Sequence, residues 1–177
     1  MIRAEINQSR LRGGQKLPER LVVKTLNEIF KVLQRQAVIS TGGRSTAGAE
    51  RSFDSQGSLR MTKSHYLKKD VTISVAFVSE PEMKKLNRIW RGKNRVTDVL
   101  SFELEEGKVF GEILICYEQA VRQAKEMKHS THDEIIFLLV HGVLHLFGNY
   151  HERPVDAKKI FLLQSRILIA LGVDARL

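Results

Sequence analysis

The sequence is poor in the residues that cross-link a chain or anchor it in a membrane. Cys116 is the single cysteine among 177 residues, so a disulfide within the chain is excluded. No apolar run reaches the roughly 18 residues that a membrane-spanning helix requires. Residues 1–6 alternate apolar and polar side chains, which is typical of a half-buried strand and not of a signal peptide. We therefore expect a cytoplasmic protein with no membrane partner.

Carboxylates are also scarce relative to cations. Lysine and arginine number 29 against 20 aspartate and glutamate residues, which gives a formal net charge of +9. This balance favours a polyanionic partner, of which nucleic acid is the commonest, although a solvated basic surface would give the same count. With 42% hydrophobic residues, the chain suits one domain that spans residues 1–177.

Hydrophobic periodicity predicts an α+β fold. Period-2 stretches predict four strands, at residues 1–6, 71–77, 97–104 and 109–116, with a hairpin turn over residues 105–108. Helical spacing predicts about five helices, which begin near Pro18, Ser79, residue 117, the capping-box pattern Thr131-x-x-Glu134 and Asp156. We expect a small mixed sheet of about four strands packed with these helices.

Residues 40–60 interrupt the pattern. The segment is rich in glycine and serine, and its only large apolar side chains are Phe53 and Leu59. Because it can bury little surface to offset its ordering entropy, we expect a flexible insertion. The alternative is a loop that becomes ordered on contact with a partner.

Three histidines lie close together in the last third of the chain. His141 and His145 are four residues apart, so a helix places them on one face. Gly148 predicts the end of that helix, and a sharp turn there would return His151 towards the same point. Three imidazoles with an open fourth position are typical of a catalytic Zn²⁺ site, which predicts one ion per chain at the end of the central C-terminal helix. The alternative is a set of unrelated histidines, two of them packed along a buried helix.

The spacing of these histidines invites comparison with the metzincin proteases, whose pattern is H-E-x-x-H-x-x-G-x-x-H. This chain has Gly142 in place of the glutamate that those enzymes use as general base. A glycine cannot transfer a proton, so a metalloprotease is a distant alternative. The remaining histidines match no ligand pattern and are predicted to be surface residues: His65, His129 and His132.

The segment from His141 to His151 reads H-G-x-L-H-L-x-G-x-x-H and resembles the signature of the YbeY family, endoribonucleases that take part in ribosomal RNA maturation. Two further segments carry the likeness. One is Leu86-Asn87 with Arg91-Gly92-Lys93 and Thr97-Asp98-Val99-Leu100-Ser101-Phe102, and the other is Gly111-Glu112-Ile113-Leu114-Ile115-Cys116. The resemblance covers about residues 68–152 densely, and the terminal elements by pattern alone.

The resemblance implies metal ligands at His141, His145 and His151 and a functionally critical arginine at Arg91. It implies a single-strand-specific, metal-dependent endoribonuclease that acts in rRNA processing, including maturation of the 16S rRNA 3′ end, and in ribosome quality control. RNA and the ribosomal small subunit or its assembly factors are the implied partners. A rival hypothesis keeps the resemblance but makes the protein a zinc-stabilised assembly or RNA-binding factor with little turnover.

Neighbours of Arg91 extend this prediction. A planar guanidinium can bind two phosphate oxygens at once, which suits Arg91 to a charged transition state. Lys93 and Arg95 form either a basic strip for backbone phosphates or an ordinary solvated turn. Trp90 could stack on a base, although its position favours packing in the core.

The sequence also departs from the family pattern. Val96 replaces a usual proline, which predicts a less rigid turn. Asn149-Tyr150 replaces a common Tyr-Asp before the last histidine, so any carboxylate that orients an imidazole must come from elsewhere, with Glu152 as one candidate.

Overall fold

A four-stranded mixed sheet forms the centre of the fold. The computed structural model describes residues 2–40, 51–53, 59–61, 70–104, 109–147 and 154–174. The strands in these ranges are β1 (Ile2–Asn7), β2 (Arg51–Phe53), β3 (Leu59–Met61), β4 (Val71–Val78), β5 (Val99–Glu103) and β6 (Val109–Cys116). The main sheet has the order β1-β4-β6-β5, in which β1, β4 and β6 are parallel and β5 runs antiparallel to β6. Strand β5 is therefore an edge strand.

Five α-helices lie in the described residues: α1 (Glu19–Ser40), α2 (Glu80–Arg91), α3 (Tyr117–Met127), α4 (Thr131–Leu146) and α5 (Pro154–Leu171). One turn of 3-10 helix, Gly13–Gln15, precedes α1. The predicted α+β class, with about four strands in a mixed sheet and about five helices, is confirmed. No helix in the described ranges is long and apolar enough to cross a membrane.

The two faces of the sheet are covered unequally. Strand β4 alternates buried and half-buried residues along its whole length, as period 2 requires. Its buried side chains, such as Ile73 and Val75, join a large core that includes residues of α1, α4 and α5. The opposite face carries a smaller cluster in which Met83 of α2 packs with Leu100 and Leu114. The sheet thus has one face under several helices and one under α2.

The segment around residues 40–60 contains structure that the sequence did not predict. Strands β2 and β3 pair antiparallel, with Arg51 opposite Met61 and Phe53 opposite Leu59. The two large apolar residues of the segment are thus cross-strand partners. Residues 41–50 and 54–58, the predicted hairpin turn at residues 105–108 and the predicted helix end at Gly148 lie outside the described residues. Flexibility of the insertion and the single-domain assignment stay predictions.

The start of α4 lies one residue away from the predicted capping box. Ser130 is the N-cap, and its hydroxyl accepts a hydrogen bond from the backbone N–H of Asp133 at 3.1 Å. The pattern Thr131-x-x-Glu134 was therefore the wrong interpretation of this helix start. Since Glu134 is not needed at the cap, its side chain is buried in the interior, with 4% of the residue exposed.

Candidate metal and RNA site

His141 and His145 meet near the end of α4, as their spacing predicted. Their Nε2 atoms are 2.9 Å apart and their ring centroids are 4.5 Å apart. Both side chains are half-buried. Two imidazole nitrogens that converge in this way present their lone pairs to one point when neither carries a proton there.

A buried glutamine on α5 supports the first of these rings. Gln164 is 3% exposed, and its Oε1 lies 3.1 Å from His141 Nδ1. A carbonyl oxygen can only accept, so this hydrogen bond requires the proton of the neutral ring on Nδ1. His141 Nε2 is then left with a lone pair, which is the form of histidine that binds a metal ion.

Gln164 was not predicted from the sequence as part of the site. The available signal was a polar residue on the apolar face of the last helix, four residues after the buried Ile160 and three before the buried Ile167. Such a residue needs a hydrogen-bond partner. The identity of that partner became visible only in the packing of α5 against α4.

The two Nε2 atoms are at hydrogen-bond distance, slightly closer than a shared ion would require. Zinc–nitrogen bonds of about 2.0–2.1 Å at a tetrahedral angle place two ligand nitrogens about 3.3 Å apart. The observed 2.9 Å differs from that value by an amount that a small ring rotation can supply. Among the described residues, no group of three metal-ligating side chains is found. His151, the third predicted ligand, lies outside those residues.

Gly142 lies where α4 packs closely on the sheet. A Cβ atom at this position would be 3.0 Å from Ile113 Cγ2 and 3.5 Å from Ser101 Oγ. A larger side chain here would begin at the contact between α4 and strands β5 and β6, so the Ile113 side chain or the helix would have to shift by a few tenths of an ångström. Close packing therefore favours glycine at this position.

Arg91 is exposed at the C-terminal end of α2. The helix ends at Gly92, whose positive φ of 67° is a left-handed conformation that glycine adopts without strain. Helix α2 packs on the opposite face of the sheet from α4. Arg91 and the histidine pair therefore approach the edge strand β5 from opposite faces.

The connection from α2 to β5 carries Lys93 and Arg95, and a buried side chain ties it down. Asn87 is 1% exposed, and its Nδ2 donates to the backbone oxygen of Arg95 at 2.7 Å. The backbone N–H of Lys93 donates to the backbone oxygen of Asn87 at 3.2 Å. These two hydrogen bonds fix the backbone of the turn that contains Val96. They support the turn although the proline that is usual at position 96 is absent, which was not predicted from the sequence.

Trp90 is not a core residue, contrary to the sequence analysis. Its spacing of three and seven residues from Asn87 and Met83 places it on the buried face of α2, yet 65% of the residue is exposed. The indole lies against the ring of Phe102 on β5, with a centroid distance of 5.5 Å and an interplanar angle of 59°.

His129 was also assigned wrongly to the surface. Its Nε2 lies 2.6 Å from Glu134 Oε2, and the two side chains are 10% and 6% exposed. Burial raises the pKa of Glu134, an effect that the hydrogen bond and the charge of His129 oppose and the charge of Asp98 reinforces. His132 is exposed as predicted, whereas His65 lies outside the described residues.

Cys116 is a small buried residue at the end of β6. It is 0% exposed and belongs to the cluster beneath α2. Burial raises the pKa of its thiol to about 11. The thiol is therefore neutral at physiological pH and unsuited to nucleophilic chemistry.

Known proteins with similar sequences share one description. The family profile described as Endoribonuclease YbeY matches residues 50–172. A Macrococcus caseolyticus protein named Endoribonuclease YbeY is 40% identical over 114 residues, which cover 59% of this chain and 74% of the relative. A Staphylococcus aureus protein of the same name is 39% identical over 123 residues, which cover 63% of this chain and 79% of the relative.

A solved structure shows a similar fold. The solution structure of the Thermotoga maritima protein TM1509 superposes with a TM-score of 0.52 at 26% sequence identity. The match covers 97% of this chain and 89% of that protein. Similarity in sequence and similarity in fold therefore extend over most of the chain.

Proposed function

We propose, from the premise that this chain belongs to the YbeY family of endoribonucleases, that it is a metal-dependent endoribonuclease that cleaves single-stranded RNA. The observation that carries this proposal is the convergence of His141 and His145 Nε2 within 2.9 Å of each other, with Gln164 holding the proton of His141 on Nδ1. A pair of half-buried imidazoles arranged in this way is suited to binding a cation.

His141, His145 and His151 are the proposed ligands of one Zn²⁺ ion per chain. Three imidazoles suit zinc among the common divalent ions and leave a coordination position for water or substrate. The chemistry that zinc supplies when bound is Lewis acidity towards phosphoryl oxygens and a lowered pKa for water. Gln164 contributes by keeping the His141 lone pair on Nε2 and by fixing the plane of its ring.

Arg91 is the proposed group that stabilises charge on the reacting phosphate. Its guanidinium is permanently charged and solvent-accessible at the end of α2. Cleavage of a phosphodiester adds negative charge to the non-bridging oxygens in the transition state, and a planar guanidinium can donate to two of them. Arg91 would therefore act mainly on the rate of cleavage and little on metal binding.

Two features favour a phosphodiester over a peptide bond as the substrate. The chain carries a net charge of +9, which attracts a polyanion. The position that metalloproteases reserve for a general base is Gly142, where a Cβ would already be 3.0 Å from Ile113 Cγ2. Both features agree with RNA and disfavour peptide hydrolysis.

The proposed biological setting is the cytoplasm, with ribosomal RNA as the substrate. We infer roles in 16S rRNA 3′-end maturation and in ribosome quality control, with the small ribosomal subunit or its assembly factors as partners. These inferences rest on the family, and the basic charge of the chain is consistent with them.

Metal analysis combined with an RNA-cleavage assay tests the proposal on four proteins. Wild type should hold about one zinc per chain and cleave single-stranded RNA. His145→Ala should lose both metal and cleavage. Arg91→Ala should keep the metal and RNA binding but cleave about 10²- to 10³-fold more slowly, as after loss of one transition-state donor. His132→Ala, which removes an exposed histidine from the same helix, should behave as wild type.

Contrary outcomes are equally specific. Cleavage that survives both metal removal and His145→Ala would belong to a contaminating nuclease. A zinc-bound wild type that binds RNA without cutting it would favour the assembly-factor hypothesis. Hydrolysis of unfolded peptides would return the metalloprotease to consideration.

A further inference from the structure

The exposed indole of Trp90 is the most conspicuous surface feature that the proposed chemistry does not use. Trp90 is 65% exposed and its neighbour Ile89 is 58% exposed, both in the last turns of α2. A large aromatic side chain left in water at a helix end suggests a binding surface, because its burial by a partner is favourable.

Phe102 holds the indole in a defined place. The two ring centroids are 5.5 Å apart with the planes inclined at 59°. Phe102 is itself half-buried and packs against the cluster of Met83, Leu100 and Leu114 beneath α2. The aromatic pair is therefore anchored on one side by the core and exposed to solvent on the other. Little entropy would be lost when a flat ligand stacks on such a surface.

The charge around the pair favours a polyanion. Residues 83–97 contain no aspartate or glutamate but contain six cations: Lys84, Lys85, Arg88, Arg91, Lys93 and Arg95. Every one of these cations is exposed. The turn that carries Lys93 and Arg95 is fixed by Asn87, whose Nδ2 donates to the Arg95 backbone oxygen at 2.7 Å. Carboxylates adjoin Phe102, since Glu103 follows it and Glu112 is its cross-strand partner, so the positive charge comes from the α2 side of the pair. An exposed aromatic surface next to these cations matches the bases and phosphates of a single strand.

The position of the pair relates it to the proposed chemistry. Trp90 directly precedes Arg91 in the chain, and Phe102 follows Ser101, whose hydroxyl lies on the α4 side of β5 near Gly142. Successive residues of a strand point to opposite faces. Phe102 therefore lies on the α2 side of β5, and Ser101 lies on the side of α4, the helix that carries the histidine pair.

We propose that Trp90 and Phe102 form a stacking subsite for one unpaired RNA base next to the phosphate bound by Arg91. The inference rests on the proposed function, since it assigns how that same site selects single-stranded RNA. A base paired within a duplex cannot stack on the indole without leaving its helix, so the subsite discriminates against paired RNA.

Trp90 is the only tryptophan in the chain, so intrinsic fluorescence reports on this position alone. The zinc-bound protein is titrated with a ten-nucleotide single-stranded RNA that is checked for integrity after the titration. An abasic ribose-phosphate chain of the same length and a duplex of the same sequence serve as comparisons. Stacking predicts that the single strand quenches the indole fluorescence and that the abasic chain and the duplex do not.

Binding to variants is followed by anisotropy of a labelled RNA. Trp90→Leu should weaken binding of the single strand about 5- to 150-fold, the range that corresponds to loss of one base–aromatic stack. Trp90→Phe should recover most of the affinity. Phe161→Leu removes another exposed aromatic residue, 62% exposed on α5, and should bind as wild type. Unchanged thermal unfolding of Trp90→Leu would show that the effect is not a loss of fold.

Equal quenching by the abasic chain, or unaltered binding by Trp90→Leu, would overturn the stacking subsite. If Trp90→Leu binds RNA normally but no longer associates with small ribosomal subunits, the surface contacts protein and the inference is wrong. The proposed function can fail separately. If the wild type shows fluorescence quenching by RNA but never cleaves it, the stacking subsite is supported and the endoribonuclease activity is not.

Discussion

The two ends of α4 each bring a histidine into a close polar contact, and the contacts differ in kind. Near its start, His129 pairs with the carboxylate of Glu134 at 2.6 Å, and both side chains are at least nine-tenths buried. Near its end, His141 contacts a second imidazole at 2.9 Å and a neutral amide at 3.1 Å, in a half-buried position. The first contact joins an imidazole to a carboxylate, whereas the second joins two imidazoles, both of which can act as metal ligands when neutral.

This difference separates a histidine expected to be structural from one proposed as a ligand. His129 has a buried carboxylate as the partner of its Nε2. His141 has a neutral amide as the partner of its Nδ1, which leaves its Nε2 directed towards His145, as the proposed metal site requires.

The largest expected effect is the stabilisation of the fold by zinc. A ligand that binds only the folded state at 1,000 times its dissociation constant adds about 4 kcal/mol to the free energy of unfolding. We expect this gain for wild type and for His129→Leu and expect none for His141→Ala. Chemical denaturation with and without added zinc measures it. A zinc-dependent gain in His141→Ala would place the ion elsewhere.

The His129–Glu134 pair near the start of α4 should instead contribute to the free energy of unfolding of the metal-free protein. His129→Leu leaves the Glu134 carboxyl buried without its partner, and we expect the free energy of unfolding to fall by about 1–3 kcal/mol. His132→Leu, at an exposed position in the first turn of α4, is the matched control. Equal stability of the two variants in chelator would mean that the His129–Glu134 contact contributes nothing to the fold.

Gln164 should act on metal affinity while leaving the fold intact. Gln164→Leu removes the acceptor for His141 Nδ1, and we expect zinc affinity to drop about 10- to 100-fold, as after loss of an outer-shell partner. Gln164→Glu keeps an acceptor and should retain most of the affinity. Competition with a chromophoric chelator gives both values. Equal affinities for the Leu and Glu variants would remove Gln164 from the site.

The smallest effect is a pH dependence at the start of α4. Burial raises the pKa of Glu134 from its ordinary value of 4.5, so the folded state binds its proton more tightly than the unfolded chain does. The associated stability is complete below pH 4.5 and is lost as the pH rises through the folded-state pKa. The stability of wild type relative to Glu134→Gln should therefore decline between pH 4.5 and the folded-state pKa of Glu134 and stay level above that pKa. A relative stability that increases with pH there would show that the pKa is lowered.

The sequence predicted the sheet better than it predicted the partners of individual side chains. Period-2 patterns located every strand of the main sheet, because one face of each must be buried. The i,i+4 spacing predicted the meeting of His141 and His145, because helix geometry alone produces it. His129, Gln164 and Trp90 were missed or misassigned, because their surroundings come from other elements. Trp90 shows this most clearly, since it was predicted to pack in the core and is 65% exposed.

The short distance between the two imidazoles on α4 has a consequence for which ions the proposed site can hold. Their Nε2 atoms are 2.9 Å apart, and both rings are carried by one helix that packs closely on the sheet at Gly142. Such a pair suits a small ion with few ligands at short range. Calcium, which gathers 6–8 oxygens at 2.3–2.6 Å in a pliable shell, should be rejected by size and by ligand type alike.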